Sequence, residues 1–312
     1  MGPDVIDVRV AVIPVFYGEK VELRLLPSTQ RPVSLAEIGM LEDTKKIVEE
    51  SIKKAYGMIL VCGPTGSGKS TTLYSILNIL NKPEVNIVTI EDPIEYDIQY
   101  INQTQINPLA GISFANGLRA ILRQDPNIIM VGEIRDEETG EISVNAALTG
   151  HLLLSSLHTN DAATAVPRLM DMNIEPFLVS AVLNISLAQR LVRKVCLNCI
   201  ESYQIDAALI NFLETQLKQV NPYSQLRIPK IFYRGRGCTD CGSTGYHGRC
   251  GIYEVLNIDE DVRKLIISPD FSLANLNNLA KKNGMITMFE DGLRKATTGV
   301  TTIEEVLRVI RE

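Results

Sequence analysis

The pattern of apolar and polar positions changes character along the chain. At the start it has a period of two. Val8-Arg9-Val10-Ala11-Val12 and Val21-Glu22-Leu23-Arg24-Leu25 place apolar and polar residues on opposite sides of an extended chain, which predicts two strands. They flank Gly18, so a hairpin is expected, and the turn-rich stretch 27–32 predicts a linker behind it. Residues 1–32 are too few to fold alone and read as the end of a domain whose beginning is missing.

From Ser34 helical spacing takes over, interrupted by short, largely apolar runs. Leu41–Tyr56, Lys69–Leu80 and Phe114–Leu122 carry the helical period, whereas Met58–Cys62, Val85–Ile90, Ile128–Val131 and Leu152–Leu157 read as buried strands. Strands alternating with helices predict an α/β unit over 33–195, its parallel sheet covered on both faces. Residues 196–241 set two cysteine pairs around a polar helical stretch. The remainder, 242–312, reads as a helical region, amphipathic from Val262 to Arg311 with stops at Gly284 and Gly299.

Composition narrows the class. A chain of 312 residues that is 45% hydrophobic and 22% charged is neither disordered, collagenous nor a coiled coil. It has no Trp and is only 5% aromatic, so aliphatic side chains must fill the interior, which suits α/β packing. The net charge of −6 gives no overall attraction to nucleic acid or an anionic membrane. No apolar run approaches the roughly 18 residues of a membrane-spanning helix, and no basic segment leads into an apolar one at the start, so a soluble, unexported chain is expected.

The strongest chemical signal is Gly63-Pro64-Thr65-Gly66-Ser67-Gly68-Lys69-Ser70, a full match to Gly-x4-Gly-Lys-Ser/Thr between a predicted strand and a predicted helix that continues through Thr71. Its glycines let backbone N–H groups converge on a phosphate at a helix N-terminus. Lys69 would reach the β- and γ-phosphates of ATP, and the Ser70 hydroxyl would ligate Mg2+. Hydrolysis also needs carboxylates. Two strands end in them: Ile128-Ile129-Met130-Val131 runs into Gly132-Glu133, and Val88-Thr89-Ile90 runs into Glu91-Asp92-Pro93-Ile94-Glu95. Carboxyl ends of parallel strands are where such sheets bind ligands. Glu91 is expected to polarise water and Glu133 to hold Mg2+ or water, with Glu95 in reserve; which of them is the base stays open.

Two of the three histidines, His151 and His158, bracket the Leu152–Leu157 strand. Their odd offset puts them at opposite ends and on opposite faces, which disfavours a shared metal. His158 reads as a γ-phosphate sensor and His151 as a packing or capping residue. Of the six cysteines, Cys196-Leu197-Asn198-Cys199 and Cys238-Thr239-Asp240-Cys241 form two Cys-x-x-Cys pairs. They read as a closed, structural Zn2+ site with an insertion between the pairs, rather than two disulfides or two reduced pairs. Cys62 and Cys250 read as non-ligands.

Together Gly63 to Ser70, Glu91 to Glu95, Leu122-Arg123-Gln124-Asp125-Pro126 with Gly132-Glu133-Ile134-Arg135-Asp136, and the segment carrying His151 and His158 resemble the Walker A, Asp box, Walker B and His box of the secretion ATPase superfamily. Members of that family power type II secretion and type IV pilus assembly. The resemblance implies a RecA-like core in a homohexamer that hydrolyses ATP with Mg2+ on the cytoplasmic side of the bacterial inner membrane, beside an inner-membrane platform and cytoplasmic adaptor proteins. It also implies that residues 1–32 are the last strands of a PAS-like domain, which would make Arg9 and Arg24 nucleotide-site residues, and it supports zinc at the tetracysteine. Arg123 and Arg135 become candidates for contacts across a subunit boundary. One departure is Leu197, where many relatives have Pro. The competing readings are a DNA-translocating or conjugation ATPase of RecA-like fold and a module that binds ATP only as a switch; acidic charge and scarce aromatics weigh against single-strand stacking grooves.

Overall fold

The computed structural model describes residues 6–27 and 33–311. The alternating opening forms the expected hairpin, β1 (Ile6–Val15) against β2 (Gly18–Pro27), turning at Phe16 and Tyr17. Arg9 and Arg24 face each other in its backbone register; their side chains lie outside the described residues, as do linker residues 28–32.

The α/β unit begins with α1 (Glu42–Ser51), shorter than the sequence period suggested, because the chain must turn through Gly57, at φ 114°, into β3 (Gly57–Cys62). Then follow α2 (Lys69–Leu80), β4 (Ile87–Glu91), β5 (Asn102–Gln105), α3 (Phe114–Ile121), β6 (Ile128–Val131), α4 (Glu137–Leu148) and β7 (Leu152–Leu157). Ser113 caps α3 and Asp136 caps α4, each accepting a hydrogen bond from the backbone N–H three residues on. Asp136 is therefore a cap, one of the roles open to a carboxylate after a strand. Next come α5 (Ala165–Met170), α6 (Pro176–Val182) and a 13-residue strand, β8 (Leu183–Val195).

The cysteine zone contains β9 (Ile200–Gln204), α7 (Ala207–Val220) and β10 (Ile231–Gly235). It is followed by β11 (Tyr246–Asn257), which returns to the main sheet rather than joining the helices of 242–312. Four helices close the chain: α8 (Glu260–Ile266), α9 (Leu273–Lys282), α10 (Met288–Thr297) and α11 (Ile303–Arg311). Gly284 and Gly299, at φ 95° and 79°, end α9 and α10 as the sequence predicts.

The seven-stranded sheet runs β11-β8-β3-β7-β6-β4-β5, parallel throughout except where β11 lies antiparallel to β8. This is the mainly parallel, RecA-like α/β architecture expected from the sequence. Met58, Leu60 and Cys62 of β3 face one apolar core, and Ile59 and Val61 the other; all five are fully buried, so β3 reads as one apolar run. A third core joins α7 and β10 to α10 and α11.

One buried carboxylate bridges the sheet and the tail. Glu254 on β11 receives backbone hydrogen bonds from Ala162, in the loop after β7, and from Met288, the first residue of α10. Burial pushes its carboxyl up to about 7, against the pull of those two N–H groups. Beside it, Asp291 accepts the Tyr253 N–H at 2.9 Å and Lys295 donates to the Gly251 carbonyl at 2.7 Å.

Candidate functional site

The loop from Gly63 to Gly68 leaves the carboxyl end of β3 and winds into α2. A Cβ on Gly63 would lie 2.5 Å from Ser67 Oγ and 2.7 Å from the Gln189 carbonyl oxygen. Gly68, at φ 90°, sits at the N-cap of α2. The loop can therefore curl tightly only with glycine at these positions. Lys69 Nζ lies over the curl and donates to the carbonyls of Gly63 at 2.9 Å and Pro64 at 3.2 Å. Partial burial lowers its pKa, opposed by the nearby Glu133.

A cleft of about 690 Å³ opens over the loop. Thr65, Gly66, Gly68, Lys69, Ser70 and Thr71 line one wall, and Glu91, Glu95, Glu133 and His158 line another. Residues as far apart in sequence as Thr65 and His158 are thus brought together because β3, β4, β6 and β7 lie in one parallel sheet and all point their carboxyl ends the same way. Gly63, Pro64 and Ser67 complete the loop behind this wall. Arg135 reaches the cleft, while Arg123 does not line it.

The carboxylates sit in different environments. Glu91 is only 4% exposed. Its Oε1 accepts from the Thr89 hydroxyl at 2.5 Å and the Gln103 amide at 3.1 Å, and its Oε2 accepts from the Tyr74 phenol. Burial, and then the charge of Glu91, hold the Tyr74 phenol protonated well above its ordinary range. Glu133 is bonded to Arg135 at 2.5 Å, and its Oε2 lies 3.2 Å from His158 Nε2. The hydrogen bond that Arg135 donates to Glu133 raises the Arg135 pKa. Glu95 is exposed on the cleft wall, its backbone N–H donating to Tyr74 Oη at 3.2 Å. His151 is at the far end of β7, its Nδ1 2.9 Å from the Ala146 carbonyl at the end of α4.

Sequence reading did not find Tyr74, Thr89 or Gln103, nor Gln189 beneath the loop. Thr89 and Gln103 sit on strands where a polar residue looks unremarkable. Gln189 carried a signal: Leu183, Ile185 and Leu187 alternate with Asn184 and Ser186 ahead of it, a strand period leading to a buried amide.

The second site is the cysteine cluster. Cys196, Cys199, Cys238 and Cys241 place their Sγ atoms within 4.8 Å of one another, and all are free thiols. Backbone N–H groups of Cys238 and Gly245 donate to Cys241 Sγ at 3.2 and 3.3 Å. Burial opposes ionisation of Cys241, but hydrogen bonds to its sulfur outweigh it and bring the thiol down to about 6. Four converging sulfurs with N–H donors behind them fit a closed tetrahedral metal site. Cys62 and Cys250 are buried elsewhere and are not part of it.

Fold and site together define a protein with a P-loop motif at the carboxyl end of a RecA-like, mainly parallel sheet. The sequence matches the family described as Type II/IV secretion system protein over residues 1–308, and the chain belongs to that family. It is 49% identical to the type II secretion system protein E of Pseudomonas aeruginosa over 312 residues, 100% of this chain and 60% of that protein. It is 46% identical to the type IV pilus assembly ATPase PilB of Thermus thermophilus over 302 residues, 97% of this chain and 33% of that one. The crystal structure of the pilus retraction motor PilT with bound ADP shares its fold with a TM-score of 0.68 at 28% identity, covering 96% of this chain and 73% of that chain. The chain spans 60% of the length of the type II relatives from Pseudomonas aeruginosa, Dickeya dadantii and Vibrio cholerae. Among the described residues no helix is long and apolar enough to cross a membrane.

Proposed function

We propose that this chain is the catalytic core of an ATP-hydrolysing motor subunit that drives pseudopilus or pilus assembly. The supporting observation is the convergence, on one cleft, of the phosphate loop with Glu95, Glu133 and His158. Family membership supports the secretion and pilus setting, and with it a homohexamer at the cytoplasmic face of the inner membrane, next to platform and adaptor proteins. Arg9 and Arg24 are proposed to complete the nucleotide site.

Lys69 and the loop amides bind the β- and γ-phosphates. Ser70 and Glu133 are the residues that would hold Mg2+, which when bound neutralises charge on the phosphates. His158, hydrogen-bonded to Glu133, reads the γ-phosphate. Glu91 is read from sequence as the group acting on water, but its three donors suit it better to anchoring Tyr74 and the strand end. Glu95 faces the cleft and takes the proton of the attacking water. Phosphate release should require Mg2+ and be indifferent to added DNA; DNA-stimulated turnover would move the assignment to a DNA-translocating motor.

The four cysteines are proposed to hold a structural Zn2+, with no open position for a water or substrate. Elemental analysis should find about one zinc per chain. Cys241→Ser, left with three sulfur ligands, should be cleaved much faster within 196–241 in limited proteolysis, since metal binding energy is folding energy there. A metal-free parent with four freely reactive thiols would refute the site.

A further inference from the structure

Gln189 is almost fully buried on β8, 1% exposed, and both ends of its amide are engaged. Its Nε2 donates to the Ser67 carbonyl at 2.7 Å, and its Oε1 accepts from the Thr72 hydroxyl at 2.6 Å. Thr72 is itself buried, in the first turn of α2. The amide therefore joins the last turn of the phosphate loop to the helix that follows, from a strand on the other side of β3. A Cβ on Gly68 would come within 3.1 Å of Nε2, so the loop rests directly on this side chain.

In a planar trans peptide the C=O and the next N–H point in opposite directions. Holding the Ser67 oxygen down on Gln189 thus turns the Gly68 N–H the other way, and Gly68 lines the cleft. The Ser67 carbonyl can only accept and so takes the Nε2 end of the amide, while the Thr72 hydroxyl donates to Oε1 and holds the other end. We infer that Gln189 is a positioning residue for nucleotide binding: it sets the Ser67–Gly68 peptide so that the Gly68 amide faces the β-phosphate. The inference rests on the ATP reading of the cleft and adds that the loop is set partly from below, by β8.

The test uses Gln189→Met, which keeps length and removes both hydrogen bonds, and Thr72→Val, which removes only the hydroxyl that anchors Oε1. Dissociation constants for ADP and AMP are measured alongside circular dichroism and thermal melting. Because the loop amides bind the β-phosphate, ADP binding should weaken about tenfold in Gln189→Met and about threefold in Thr72→Val, with AMP affinity unchanged in both. Folded variants that bind ADP like the parent would overturn the inference. So would equal losses for ADP and AMP, which mark a merely structural role. If Gln189→Met does not fold, Thr72→Val decides alone by the same comparison. A parent chain that binds neither nucleotide would instead sink the nucleotide reading itself.

Discussion

Lys69→Ala should reduce ATP turnover to background while leaving the fold intact. Lys69 is half-buried, and among the described residues its ammonium bonds only to the Gly63 and Pro64 carbonyls of its own loop. The substitution removes a positive charge from the phosphate site without emptying a core position. The charge that would meet the β- and γ-phosphates is lost, and neither the mainly parallel sheet nor its two cores is touched. Circular dichroism and phosphate release should therefore diverge, the first unchanged and the second lost. Turnover near the parent rate would remove the phosphate loop from the chemistry.

The carboxylates should separate by environment when each is replaced by Gln, which keeps shape and removes charge. Glu95→Gln and Glu133→Gln should still bind ATP, with hydrolysis reduced by roughly 10² or more in each. For Glu133 the loss also removes the ion pair with Arg135 and the negative charge beside His158. Glu91→Gln should behave differently. Thr89 and Gln103 can still donate to the remaining oxygen, but the new NH2 faces the Tyr74 hydroxyl, which already accepts the Glu95 N–H. The expected result is a lowered melting temperature together with reduced turnover. Normal hydrolysis by Glu95→Gln, beside a Glu91→Gln that folds and binds normally but does not hydrolyse, would return the water-activating role to Glu91.

The parts legible in the sequence were those encoded locally. The phosphate loop is contiguous, so its spacing states its geometry. Strands β3 and β6 are buried on both faces and appear as unbroken apolar runs, and β7 is interrupted only by Ser155 and Ser156. β5 was not legible because Asn102-Gln103-Thr104-Gln105 is a polar strand at the sheet edge, where one neighbour and partial exposure suffice. β8 and β11 escaped because their pairing is decided by chain returning from the cysteine zone, 51 residues or more downstream of Val195. The partition of labour among the carboxylates was illegible for the same reason. Glu91 and Glu95 are four residues apart on one strand end, and only the arrival of Tyr74 and Gln103 distinguishes them.

The Glu254 carboxylate acts as a rivet between two parts that the sequence keeps far apart. The loop after β7 carries His158 at its start and Ala162, clamped to Glu254, four residues on. The same carboxylate holds the first turn of α10. If the loop shifts when a phosphate arrives or leaves, either the rivet loses a partner in a dry interior, which is costly, or α10 travels with it. Because α10 is also fastened to β11 through Asp291 and Lys295 and shares a core with the cysteine zone, the least costly displacement is a joint one. A small stroke at the cleft would then emerge as a tilt of the whole C-terminal helical block.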